Sequence, residues 1–137
     1  MLLQSEKNRR LLRFGMVGGT NTVIDFGILF ALTVAGLPTI AANIVSTTIA
    51  FVFSFVANKN YTFKSKSVNI KKQFILFTLV TLFGLWVIQN IVIALTEPIL
   101  LSAGLSGSAS LFIAKSIATV VSLVWNYYFY SRAVFNT

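Results

Sequence analysis

Long apolar runs alternate with short polar connections along this chain, and four of the runs are long enough to cross a bilayer. They fall at Phe14–Ala35, Thr39–Ala57, Phe74–Leu95 and Leu111–Tyr130. A hydrocarbon core of ~30 Å requires about 20 mostly apolar helical residues. The pattern therefore predicts an all-α integral membrane protein of four transmembrane helices, with residues 1–137 forming a single transmembrane domain. The connections differ in kind. Gly36-Leu37-Pro38 reads as a tight turn, Ser102–Ser110 is rich in glycine and serine, and Asn58–Gln73 is polar and basic. Basic residues before the first run resemble the start of a signal peptide. That run, however, is ~20 residues long and contains Thr20, Asn21, Thr22 and Asp25, so it reads as a retained first helix.

Charge orients the four helices. Lys7, Arg9, Arg10 and Arg13 precede the first. Lys59, Lys64, Lys66, Lys71 and Lys72 fill the middle connection, and Arg132 follows the last. Only Lys115 lies inside a span. Excess Lys and Arg marks the cytoplasmic side, so both termini and the middle connection are predicted there. Trp125, Tyr127, Tyr128 and Tyr130 stand at the same end of the fourth helix, as an interfacial aromatic belt would. The net charge of +8 flanks membrane spans, which points to anionic lipid headgroups rather than nucleic acid as the partner. The middle connection either lies against an anionic leaflet or serves only to set orientation.

Composition narrows the chemistry. Charged residues make up 10% of the chain and apolar ones 56%, against about 25% charged in soluble domains. There is no cysteine and no histidine, which removes disulfides, thiol catalysis and His-based metal sites. The three acids, Glu6, Asp25 and Glu97, lie in three different segments. No enzyme and no cofactor are expected.

An internal repeat is visible. Shifted by 72 positions, the second helix overlies the fourth, matching Ala42 to Ala114, Thr47 to Thr119, Val52 to Val124 and Phe63 to Phe135. Asn43, Thr47, Ala50 and Ser54 on one, and Lys115, Thr119, Ser122 and Asn126 on the other, share a spacing that makes a single helical stripe. Two parallel helix-pair repeats are predicted. Such a stripe lines a transport path at a repeat interface, or its small residues simply let helices pack closely. Gly15-x-x-Gly18-Gly19 on the first helix likewise predicts close packing against a neighbour, including a second copy in a homo-oligomer.

Two charges sit within spans. Asp25 falls ~16 Å from the basic boundary of its helix, near the midplane. Lys115 lies about 8 Å inside the opposite boundary. A charge at such depth costs at least ~2.5–3.5 kcal/mol and needs a partner or a wet cavity. Lys115 is the simplest partner for Asp25, aided by Asn21, Asn43 or Asn126. Lys115 could instead snorkel to the headgroups, or the two could form a purely structural pair. The functional reading has the Lys115 ammonium meeting an anionic headgroup in mid-crossing, with Asp25 compensating it when the site is empty. Gln89 and Asn90 could join the same lining.

The ordered set Arg13-Phe14-x-x-Val17-Gly18-Gly19-x-Asn21-Thr22, Asn58-x-x-Tyr61-Thr62-Phe63, Ala114-Lys115, Trp125-Asn126 and Ser131-Arg132-x-Val134-Phe135 resembles the GtrA-like family. The resemblance runs from Arg13 to Phe135. It implies a small four-helix protein of the cytoplasmic membrane that moves polyprenyl-phosphate-linked sugars for glycosylation of surface polymers, teichoic acids among them. By the same resemblance, Asn58, Lys115 and Asn126 are functional positions, and Arg13 and Arg132 are phosphate contacts at the cytoplasmic end. Family members often carry tryptophan where Tyr61 stands and a basic residue near Asn60. Two other classes compete: a scaffold that recruits a membrane glycosyltransferase, and a small multidrug-type cation exporter built around Asp25. The strong Lys/Arg bias and the buried lysine argue against the exporter.

Overall fold

The helices continue well past the stretches that hydropathy marks. The computed structural model describes residues 1–136, and among them four helical segments are long and apolar enough to cross a membrane: Leu2–Val34, Thr39–Thr62, Ile70–Ser102 and Gly107–Val134. The first is α1, Leu2–Val34, 33 residues and about 50 Å long. It runs through Lys7, Arg9, Arg10 and Arg13 without a break, since Lys and Arg are good helix formers. The second is α2, Thr39–Ala57, extended by a π-helical turn at Asn58–Thr62. The third comprises α3, Ile70–Phe83, a π-turn at Gly84–Ile88, and α4, Gln89–Ser102. The fourth is α5, Gly107–Phe129, ending in a π-turn at Tyr130–Val134. The chain is thus an all-α, multi-pass membrane protein. Its many exposed large side chains, among them Phe26, Phe30, Leu79, Trp86, Leu95, Phe112 and Val124, are the surface that acyl chains cover.

The chain divides into two compact units, residues 1–66 and 67–136. Each is a helical hairpin. In the first, α1 packs along α2, and the bend between them is a Schellman turn: Leu37 N–H donates to Leu32 C=O at 3.0 Å and Gly36 N–H to Thr33 C=O at 3.1 Å. Gly36 adopts φ +98°, a left-handed conformation that L side chains resist. In the second unit α4 packs along α5 through the same device. Leu105 N–H donates to Leu100 C=O at 3.2 Å and Gly104 N–H, at φ +93°, to Leu101 C=O at 3.0 Å. Ser106 then caps α5 by accepting from Ala109 N–H at 3.3 Å.

The far ends of the hairpins also share a device. In the first unit Phe63 N–H reaches back five residues to Asn58 C=O at 2.9 Å; in the second Phe135 N–H reaches Tyr130 C=O at 2.8 Å. These two π-turns are 72 positions apart. So are the buried positions Ala42, Ser46 and Ala50 of α2 and Ala114, Ala118 and Ser122 of α5. The glycine bends are only 68 apart, and the four-residue difference is absorbed by the fourth helical segment, 28 residues long against 24 for the second.

The fill of the two ends differs. In the second unit Phe77, 1% exposed, stacks on Tyr130 with centroids 4.7 Å apart and tilts against Phe135 at 6.1 Å. The Tyr130 hydroxyl hydrogen-bonds Thr81. Trp125 stacks on Phe83 at 4.9 Å, contacts Phe129 at 4.1 Å, and donates its indole N–H to Val80 C=O at 3.2 Å. The expected aromatic belt is therefore half core: Trp125 and Tyr130 are packing residues with satisfied polar tips, and Tyr128 is exposed beneath Arg132. In the first unit the corresponding turn buries Asn58, Lys59 and Thr62. Lys59, expected in the basic middle connection, is 9% exposed and points its ammonium at Ser65 C=O, 3.5 Å away.

Within the chain, the glycine expectation also needs correction. A Cβ placed on Gly15, Gly18 or Gly19 would meet nothing within 4 Å, so no segment of the described chain packs tightly there. The closely packed glycine is Gly84, where a Cβ would lie 2.9 Å from Asn126 Oδ1 and 3.2 Å from Trp125 Cδ1.

Candidate functional site

Polar chemistry in each unit gathers at two levels. At the basic end of the first unit, α1 lays Arg10 and Arg13, one helical turn apart, over the π-turn. The Arg10 guanidinium stands 5.8 Å above the Phe63 ring and that of Arg13 5.6 Å above Tyr61. Beneath them Asn58, 2% exposed, donates its amide to Ser54 C=O at 2.8 Å and to Ser54 Oγ at 3.3 Å, while its Oδ1 is buried with no hydrogen-bond partner. Thr62 Oγ1 is buried and unpartnered as well. Glu6, the acid nearest in sequence, is exposed and pairs with Arg9 at 3.5 Å.

Deeper in the first unit, Asn21 and Asp25 follow one another at i and i+4 on α1, hence on one face. Both are half-buried, and Oδ1 of each is buried without a hydrogen-bond partner. Asn43 is exposed on α2, as is Thr47; the buried line runs one residue earlier through Ala42 and Ser46. The expected stripe meets the buried line at Ala50, while Asn43 and Thr47 fall on the neighbouring face.

In the second unit, the π-turn at Gly84–Ile88 inserts an extra residue into the third span. Just beyond it Gln89 reaches α5, donating its amide to Ser122 Oγ at 2.9 Å. Ser122, 2% exposed, donates in turn to Thr119 C=O at 3.0 Å. Asn126, 8% exposed, rests its Oδ1 against the bare Cα of Gly84 with no hydrogen-bond partner. Gln89, Ser122 and Asn126 thus form one polar notch between α5 and the π-turn. Lys115 and Thr119 lie off this buried line. Lys115 is exposed, and the Thr119 hydroxyl is spent on Lys115 C=O at 2.8 Å. Arg132 lies 5.6 Å over Tyr128.

Of the residues expected from sequence, the structure brings Ser122 and Asn126 together with Gln89 in the second unit, and Asn21 with Asp25 in the first. Arg13 and Asn58 share the basic end of the first unit. Sequence reasoning missed Gly84, Lys59 and Thr62. A lone glycine in an apolar run and a threonine beside basic residues give no periodic signal. Among the described residues, no group of His, Cys, Asp and Glu is placed to hold a metal ion.

A profile of the GtrA/DPMS transmembrane domain matches residues 13–135. The chain is also 33% identical over 122 residues to the uncharacterised membrane protein YngA of Bacillus subtilis (strain 168), covering 89% of this chain and 76% of that protein. These matches replace the multidrug-exporter reading with a family of non-enzymatic membrane transport and scaffold proteins, implicated generally in lipid-linked sugar translocation. The matched range, the four spans and the 33% identity all lead to one assignment: the chain belongs to the GtrA family of membrane proteins.

Proposed function

We propose that this protein moves a polyprenyl-phosphate-linked monosaccharide across the cytoplasmic membrane, supplying sugar for glycosylation of surface polymers such as teichoic acids. The observation that carries the reading is polar side-chain oxygen held inside membrane spans and left unspent. Asn126 in the second unit and Asn21 and Asp25 in the first each keep a buried Oδ1 without a hydrogen-bond partner. Buried polar groups are normally satisfied, because an unmet one costs several kcal/mol in hydrocarbon. Unmet oxygens within spans therefore suit a cargo that brings its own donors.

The cargo fits the rest of the inventory. Its long isoprenoid tail stays among acyl chains, so only the sugar and phosphate need a polar path. The Lys115 ammonium serves as a point charge for the phosphate. In the second unit Gln89, Ser122 and Asn126 serve the sugar, with Thr119 at the margin of their notch. Arg13, Asn58 and Arg132, at the basic ends, take the phosphate as the headgroup enters from the cytoplasmic leaflet. In this scheme both termini face the cytoplasm and the two hairpins are parallel repeats. The Lys/Arg bias supports that orientation, and the 72-residue recurrence of π-turns and buried positions supports the repeat. Anionic lipids and a membrane glycosyltransferase are the partners.

The test in cells is Lys115→Ala at matched expression. Surface glycosylation should disappear while the lipid-linked sugar continues to be made and accumulates. Normal glycosylation in that variant would remove the phosphate role of Lys115.

A further inference from the structure

Asn21 and Asp25 present an unusual combination: two buried side-chain oxygens without hydrogen-bond partners, one helical turn apart, near the middle of a span. Among the described residues, no donor bonds either Oδ1. On α1, the Thr22 hydroxyl donates to Gly18 C=O at 3.0 Å. On α2, Ser46 donates to Asn43 C=O at 3.1 Å and Thr48 to Ile44 C=O at 2.6 Å. These three hydroxyls are thus turned onto their own backbone. α2 carries no charged residue from Thr39 to Ala57. The nearest cation on α1, Arg13, lies eight residues from Asn21 and twelve from Asp25 (~12 and ~18 Å along the axis) and leans over Tyr61. A structural role would demand a partner for these oxygens, and neither has one.

The missing partner must bring donors. An isoprenoid chain has none, and an ionised phosphodiester has only acceptors. A sugar is rich in them. We propose that Asn21 and Asp25 form a mid-span subsite that accepts hydrogen bonds from the donors of the cargo's sugar, ring hydroxyls or an amino group. The inference rests on the transport reading and extends it: cations hold the phosphate, whereas these two acceptors discriminate on the sugar. A site built to hydrogen-bond a donor rejects ligands that lack it.

The test is binding of three short-chain phosphoprenyl lipids to the full-length protein in phosphatidylcholine nanodiscs. One carries a bare phosphate, one glucose, one glucosamine with a free amine. Wild type should prefer a sugar-bearing lipid to the bare phosphate by at least about tenfold. Asn21→Ala and Asp25→Ala should each collapse that preference towards one, leave bare-phosphate binding unchanged, and leave the melting temperature unchanged or higher. Asp25→Asn, which keeps an acceptor and removes the charge, separates the donors. Loss of the glucosamine preference with the glucose preference intact identifies an amine, and retention of both preferences identifies hydroxyls; either result supports the subsite. No preference in wild type, an intact preference in both alanine variants, or equal loss on all three lipids with a lowered melting temperature would overturn it. Flipping of the same lipids in vesicles keeps the two ideas apart. Selective binding without flipping removes the transport reading and leaves the subsite standing; flipping indifferent to both alanine variants does the reverse.

Discussion

The two hairpins use the same backbone devices and fill them with opposite chemistry. Both bend through a Schellman turn on a left-handed glycine, and both end in a π-turn 72 residues apart. In the second unit that π-turn is sealed by Phe77, Tyr130, Val134 and Phe135. In the first it encloses Asn58, Lys59 and Thr62 beneath two arginines. Backbone geometry is thus separable from side-chain role. The aromatic end is built for packing and has its polar tips satisfied. The polar end keeps buried oxygens unspent, which sacrifices stability and leaves groups free to bind.

This contrast can be broken by mutation. The largest effect is expected at Phe77, nearly fully buried between two rings. Phe77→Ala should cost about 3–5 kcal/mol, read as a lower denaturant midpoint in detergent or bilayer unfolding. Next comes Gly84→Ala, whose Cβ would press on Asn126 Oδ1 and Trp125. The expected loss is about 1–3 kcal/mol, and adding Asn126→Ala should recover part of it. Gly18→Ala in the first unit, with open space around it, should be silent in the same assay.

Those two glycines show how far the sequence could be read. Four spans, their order and the positive ends were legible because transfer energy depends on runs of residue type, which need no tertiary contacts. Gly84 was not: a glycine that clears space for Asn126 looks, in sequence, like the glycines at positions 15, 18 and 19, which clear space for nothing in this chain. The π-turns were invisible because one extra residue per turn leaves no periodic trace. The buried line on α2 was legible at Ala50 and displaced by one residue at Ala42 and Ser46, which are small, while polarity drew attention to Asn43 and Thr47. Asn126 and Ser122 were legible as polar groups deep in an apolar helix, but their companion Gln89 acquires its place only through the π-turn.

The smallest effects sharpen the comparison further. Thr81→Val removes a hydroxyl that bonds Tyr130 and should cost about 1 kcal/mol. Thr62→Val removes a buried hydroxyl with no partner, so stability should be unchanged or slightly raised. A double comparison in one unfolding series would show whether unspent polar groups belong to the first unit's stability at all.

Whether the polar groups within the spans make a path is decided by vesicles containing only the purified chain and a short-chain phosphoprenyl sugar. The sugar should become accessible to a reagent on the far side, at a rate that falls at least tenfold with Lys115→Ala, about 1.4 kcal/mol of barrier. A folded wild-type protein that leaves the sugar on its original side would contradict translocation and leave a glycosyltransferase scaffold in its place.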